Sequence, residues 1–148
     1  MHMKQRILAS VILIFAMAIT TCGGRGTVKS TPAPHDTPGP TFNRITTSSK
    51  GFSIDCSPTS VTVTANITDS SGITRAVLWY RVGTDQAYLP VDMDQTSGNN
   101  YSATVKALDI PVGKYGALEF YVIAEDVEGN QAKSGINATV QLLACVAN

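Results

Sequence analysis

The sequence predicts an all-β fold: a two-sheet antiparallel sandwich of about seven strands, preceded by a signal helix and a disordered linker. Three observations support this prediction. From about residue 50, apolar and polar side chains alternate with a period of two, as they do in half-buried strands. Clusters of Gly, Asn, Asp and Ser separate the alternating segments. No segment after residue 22 shows sustained helical periodicity.

The first element is a predicted export signal over residues 1–21. Residues 7–19, ILASVILIFAMAI, carry no charge, and Lys4 and Arg6 precede them. A basic start followed by a short apolar core is typical of a signal peptide, whereas a membrane-spanning helix needs about 20 apolar residues. The remainder of the chain is therefore expected outside the cytoplasm.

A cysteine follows the apolar segment directly. In AITTCGG, residues 18–24, an aliphatic residue stands three positions before Cys22 and two glycines follow it. This resembles the lipobox of bacterial lipoproteins, in which the cysteine takes up a diacylglycerol and becomes the first mature residue. The resemblance implies a lipid on Cys22 and attachment to the bacterial membrane in the cell envelope. An uncleaved anchor helix and a plain signal with a chance cysteine are the alternatives.

The cysteine count agrees with this assignment. Three cysteines are an odd number for an exported chain. If Cys22 carries lipid, Cys56 and Cys145 remain as a pair in a compartment that permits disulfides.

The next element is a predicted flexible linker over residues 22–50. Its first part is rich in Gly, Thr and Ser and contains Pro32, Pro34, Pro38 and Pro40. Such a composition buries too little apolar surface to fold, and an extended chain of this kind suits a tether.

Residues 51–148 are predicted to form the folded domain. Its strands are expected in the segments FSIDC, SVTVTANITD, ITRAVLWYRV, YLPVDM, NYSATVKAL, ALEFYVIAED and INATVQLLAC. In the third and sixth of these, two sets of alternate residues are expected to face inward: Ala76, Leu78, Tyr80 and Val82, and Leu118, Phe120, Val122 and Ala124. Trp79 and Tyr121 would then point to the outer face.

Several pieces of the domain resemble a known class of module. They are D-x-x-G-I after the second predicted strand, V-L-x-Y in the third and A-E-D-x-x-G-N at the end of the sixth. With them, about residues 52–143 look like the immunoglobulin-like and fibronectin type III-like modules of secreted and surface-attached bacterial proteins. The resemblance implies an immunoglobulin-like sandwich in which Cys56 and Cys145 lie at the same pole. It also implies a spacer, adhesion or accessory role without shared catalytic residues.

The inventory of reactive groups predicts that the protein is not an enzyme. The two histidines, His2 and His35, lie outside the predicted domain, which leaves no imidazole for general base catalysis there. No cofactor is expected. The chain carries 11 basic and 11 acidic residues without a basic stripe, so nucleic acid is not an expected partner.

Two groups of residues remain as candidate sites. A weak candidate for calcium comprises loop oxygen ligands at Asp69, Asp126, Glu128 and Asn130, although turn formation explains these residue types better. The stronger candidate is a ligand surface formed by Trp79, Tyr121 and Tyr88. For Trp79, a place in the core and a role in covering neighbouring side chains are the alternatives.

The function expected from the sequence is a non-catalytic protein-interaction or adhesion module of unknown partner. The alternative is a small carbohydrate-binding module that uses the aromatic residues around Trp79. The alternative makes a specific geometric prediction: Trp79 is exposed, and a second aromatic ring lies a few ångströms away in the same plane.

Overall fold

The computed structural model describes residues 35–145, so the predicted signal segment and Cys22 lie outside the described residues. Within them the chain forms one short 3₁₀ helix at Ala107–Asp109 and ten strands. The strands are β1 (Thr41–Thr47), β2 (Gly51–Ser53), β3 (Ser60–Thr68), β4 (Ile73–Val82), β5 (Leu89–Asp92), β6 (Asp94–Ser97), β7 (Asn100–Lys106), β8 (Gly116–Asp126), β9 (Gln131–Lys133) and β10 (Asn137–Leu143). In this part of the chain, no helix combines the length and apolarity needed to cross a membrane.

The strands form two sheets, which confirms the predicted all-β, two-sheet architecture. One sheet has four strands in the order β1-β3-β7-β6, and the other has six strands in the order β2-β10-β8-β4-β5 with β9 paired to β8. Neighbouring strands are antiparallel except for β2 and β10, which run parallel. The sequence predicted about seven strands, and the structure has three more.

One additional strand arises because the chain changes sheets at Met93. The segment YLPVDM was predicted to belong to a single strand, but β5 pairs with β4 in the six-stranded sheet and β6 pairs with β7 in the four-stranded sheet. Met93 is buried between them, and its amide donates to the carbonyl of Ala76 at 2.9 Å. Pattern alone does not separate two short strands joined by one buried residue.

Strand β1 corrects the predicted boundary of the linker. The linker was expected to extend to residue 50, but residues 41–47 pair antiparallel with β3. A register shift between Phe42 and Arg44 interrupts this pairing. Because of this irregularity, Phe42 and Ile45 both pack against the core although they are an odd number of residues apart. The bulge therefore hides the period-two pattern that would have identified the strand.

The core lies between the two sheets and follows the predicted alternation. Buried apolar side chains come from alternate positions of β3, β4, β7 and β8. The predicted inward sets are confirmed, with Leu78, Leu118 and Val122 at 0% exposure. Since Trp79 and Tyr121 occupy the intervening positions, they lie on the outer face of the six-stranded sheet.

A disulfide joins Cys56 to Cys145, the pair that the cysteine count indicated. Their Cα atoms are 5.8 Å apart, and 89 positions separate them in sequence. Because β2 runs parallel to β10, the two cysteines that follow these strands come to the same end of the sheet. A disulfide of this kind indicates an oxidising, extracytoplasmic compartment.

Candidate functional site

The outer face of the six-stranded sheet carries a pair of nearly parallel aromatic rings. Trp79 of β4 is the direct register partner of Tyr121 of β8. Their ring centroids are 6.3 Å apart, and the ring planes differ by 9°. Both side chains are half-buried. Directly opposed aromatic residues stabilise a sheet by their mutual contact, and here they also present ring surface to solvent.

Tyr88, which directly precedes β5, completes an aromatic platform, defined as Trp79, Tyr121 and Tyr88. Its ring centroid lies 4.8 Å from that of Tyr121, with an interplanar angle of 60°. Its hydroxyl donates to Oε2 of Glu119 at 3.2 Å. The three aromatic residues singled out from the sequence therefore lie together, with Tyr88 tilted against the parallel pair.

An ion pair fixes one side of the platform. Arg81 donates from Nε and Nη2 to Oε2 of Glu119, at 2.8 and 2.6 Å. The Arg81 guanidinium also lies 4.4 Å from the Tyr88 ring centroid. The hydrogen bond from Arg81 holds the pKa of Glu119 below its usual value, although partial burial opposes this effect. Both groups are therefore ionised at neutral pH, and together they hold the Tyr88 ring and its hydroxyl.

Lys133 of β9 lies on the opposite side of the platform. Its Nζ is 3.8 Å from the centroid of the Tyr121 ring, a cation–π contact. A ligand that stacks on that face of Tyr121 has to displace this ammonium group. Trp79 is therefore the ring of the parallel pair that is better placed for stacking.

A shallow groove of about 180 Å³ runs along the sheet beside Trp79. Its apolar residues are Val77, Trp79 and Ile123, and its polar residues are Arg75, Glu125 and Gln131. Val77 and Ile123 are direct register partners, and Val77 is only 8% exposed. The groove thus combines an apolar floor with side chains that donate and accept hydrogen bonds.

The carboxylates proposed as calcium ligands serve as turn caps in the structure. Asp69 accepts from the amide and hydroxyl of Ser71. Asp126, at 1% exposure, accepts from the backbone amides of Glu128 and Asn130 and from the Asn130 side chain. Burial opposes ionisation of Asp126, but these hydrogen bonds outweigh it and lower the pKa.

Glu128 is engaged elsewhere, with its Oε2 at 3.1 Å from Nε2 of His35. Over residues 35–145, no group of three or more acidic, histidine or cysteine side chains is arranged to hold a metal ion.

The surface predicted from the sequence did not include Arg81, Glu119 and Lys133. The contact between Arg81 and Glu119 depends on the register of β4 and β8, which opposes these two residues just as it opposes Trp79 to Tyr121. The position of Lys133 depends on the short strand β9, which the alternation did not predict.

The fold and this surface define a two-sheet β-sandwich domain with an aromatic outer face. No protein-family model and no curated protein matches the chain. Among solved structures, the chain is similar to a β-1,3-glucan-binding domain of carbohydrate-binding module family 56. The TM-score is 0.36 and the sequence identity is 17%, over 64% of this chain and 95% of that chain.

Proposed function

We propose that this protein is a non-catalytic carbohydrate-binding module that stacks a sugar ring on Trp79. The near-parallel pair of Trp79 and Tyr121, with centroids 6.3 Å apart and planes within 9°, is the observation that carries the proposal. The short distance and the parallel planes match part of the geometry that the carbohydrate alternative required, whereas Trp79 is half-buried and not fully exposed. The proposal rests on this surface and not on the fold similarity.

The groove beside Trp79 supports the same ligand class. A pyranose ring has an apolar face of C–H groups and a rim of hydroxyl groups. The apolar floor of Val77 and Ile123 suits the first, and the side chains of Glu125 and Gln131 suit the second. The Oε2 atom of Glu125 already accepts from Nε2 of Gln131 at 2.8 Å, which orients both groups.

Glycan binding with a pair of aromatic variants tests this proposal. Trp79→Ala is expected to weaken binding by at least about fivefold, since truncation of a central aromatic anchor costs more than about 1 kcal/mol. Tyr115→Ala is the matched control, because Tyr115 is 50% exposed and lies in the loop before β8. Affinity electrophoresis against a panel of soluble polysaccharides measures both variants, and thermal unfolding verifies that each is folded. Equal binding by Trp79→Ala and wild type would refute the proposal.

Protein interaction or adhesion is the second candidate function. It is favoured by an apolar centre, made of buried Val77 and half-buried Ile123, beside a rim of charged residues, an arrangement found at protein interfaces. Failure of every polysaccharide in the panel would favour this candidate.

We also propose that the domain is an immunoglobulin-like module. In immunoglobulin folds, strands A, B, E and D form one sheet and strands G, F, C and C′ form the other. The orders β1-β3-β7-β6 and β10-β8-β4-β5 correspond to these two arrangements, which supports the proposal.

We further propose that the mature chain is a lipoprotein, attached to the membrane by a diacylglycerol on Cys22 and extended from it by a linker that ends before β1. The disulfide supports export of the domain. Mass spectrometry of the membrane fraction tests the anchor, because lipidation adds the mass of the acyl chains to the peptide that begins at Cys22. An unmodified thiol at Cys22 would refute it.

A further inference from the structure

We propose that the glycan bound by this surface is electrically neutral, a hexose polymer without uronate, sulfate or phosphate groups. This inference rests on the proposed function and adds the chemical class of the ligand. The charged side chains around the aromatic platform already contact one another or the aromatic rings, and these contacts carry the inference.

The charges on the outer face are balanced. Among the described residues of β4, β5, β8 and β9, this face carries three basic and three acidic side chains: Arg75, Arg81 and Lys133, and Asp92, Glu119 and Glu125. Their sum is zero. A face without net charge gives an anionic polymer no long-range attraction.

The donors of Arg81 are largely consumed within the protein. A guanidinium has five N–H groups. Two of them bind Glu119, and Nη1 donates to the carbonyls of Thr84 at 3.2 Å and Gln86 at 3.4 Å. The side chain is 22% exposed. One N–H group therefore remains, which is too few for the bidentate contact by which arginine recognises carboxylate or sulfate.

The other two basic residues each have a partner on this face. Lys133 sits over the Tyr121 ring. Arg75 donates from Nε and Nη2 to Oδ1 of Asp92, at 3.0 and 2.7 Å. This pair is exposed, at 63% and 71% for the two side chains, so it is weak and able to rearrange. Arg75 is consequently the place where the preference for a neutral ligand is easiest to change.

The acceptors on this face suit hydroxyl groups. Within residues 35–145, the bonds from Arg81 and Tyr88 to Glu119 all end on Oε2, which leaves Oε1 to accept from a ligand. Glu125 lies in the groove itself. Carboxylates accept hydrogen bonds from sugar hydroxyls, whereas a uronate or sulfate beside them is repelled.

The experiment compares neutral and acidic polymers on the full domain at low ionic strength. The probes are soluble linear glucan and mannan against polygalacturonate and chondroitin sulfate. At least one neutral polymer is expected to bind about tenfold more tightly than either acidic one. Tighter binding of an acidic polymer, lost in Trp79→Ala, would overturn the inference but support the proposed function. No Trp79-dependent binding of any polymer would overturn the proposed function itself.

A charge variant tests the physical cause. Asp92→Asn releases Arg75, and the ratio of polygalacturonate affinity to neutral polymer affinity is expected to rise about two- to fivefold, the range of one exposed ion pair. Asp109→Asn is the matched control, since it removes one exposed carboxylate from the 3₁₀ helix and not from the outer face. An unchanged ratio in Asp92→Asn, or an equal rise in Asp109→Asn, would overturn the inference that ion pairing on this face sets the preference.

Discussion

The two outer faces of the sandwich differ sharply in chemistry, although the same alternation of side chains produces both. The six-stranded sheet exposes the aromatic platform, ion pairs and the apolar groove. The four-stranded sheet exposes a polar ladder, defined as the cross-strand pairs Thr62–Thr104, Thr64–Ser102 and Asn66–Asn100. The hydroxyl or amide groups of these pairs lie 3.0, 2.9 and 2.9 Å apart.

This difference supports the proposal that a ligand binds to the six-stranded face. In the polar ladder, each side chain is hydrogen-bonded to its register partner on the neighbouring strand, so its capacity to bind a ligand is partly used. The six-stranded face has aromatic rings and apolar side chains that gain from being covered. Period-two alternation determines which residues point outward, and their chemistry determines what each face does.

The largest expected effect comes from removing the disulfide, whose two cysteines follow strands β2 and β10 of the six-stranded sheet. Cys56→Ser with Cys145→Ser is expected to lower the free energy of unfolding by about 4–5 kcal/mol, because the disulfide closes a loop of 89 positions in the unfolded chain. Denaturant unfolding measures the loss. Hydrogen exchange is expected to show added local opening in β2, the three-residue edge strand, relative to β3 and β7.

Reduction of the wild-type protein is the control for this variant and is expected to give the same loss. An unfolding midpoint that reduction leaves unchanged would contradict the stabilising role of the bridge. Equal added opening in β2 and β7 would contradict the expectation that the disulfide stabilises the six-stranded sheet locally.

An intermediate effect is expected from a reciprocal exchange between the two faces. Val77→Thr places a hydroxyl at a site that is 8% exposed, and it is expected to destabilise the domain by about 1–2 kcal/mol. Thr64→Val makes the reverse change on the polar ladder, where the site is half-buried, and is expected to change stability by less than about 0.5 kcal/mol. Thermal unfolding measures both. A similar change in stability for the two variants would contradict the expected difference in polarity between the two outer faces.

The sequence predicted in part which residues lie in the core and which lie on the outer faces. The alternation in β3, β4 and β8 correctly separated core from surface and placed Trp79 outward. It missed β1, because the bulge between Phe42 and Arg44 breaks the period of two. It also missed the change of sheets at Met93, which depends on tertiary pairing and not on local pattern.

The site was predictable to a similar degree. Trp79, Tyr121 and Tyr88 were recognisable as surface aromatic residues once the inward sets were chosen. The ion pair of Arg81 with Glu119 required the register between β4 and β8, and the contact of Lys133 with Tyr121 required strand β9. These contacts are set by strand pairing over long sequence distances, which a single sequence does not specify.

The smallest expected effect is a local response to acid that is confined to the six-stranded face. Hydrogen bonding from Arg81 lowers the pKa of Glu119 against the opposing effect of burial, and the bond from Tyr88 adds to this lowering. The contribution of the pair to stability is therefore complete above the usual glutamate pKa of about 4.3 and is lost as the pH falls through the lowered value. The effect on unfolding is expected to be slight, since both side chains are partly exposed.

NMR titration from neutral pH down through the acid range measures this response, because protonation of Glu119 weakens the hydrogen bond that Tyr88 donates to its Oε2. The resonances of Tyr88 and of Arg81 Nε are expected to shift in this range, while the amides of Thr62 and Thr64 stay in place because the polar ladder has no group that titrates there. Glu119→Gln is expected to abolish the shift at Tyr88. A Tyr88 resonance that persists unchanged in the wild type, or a simultaneous shift in the ladder, would show that acid does not distinguish the two faces.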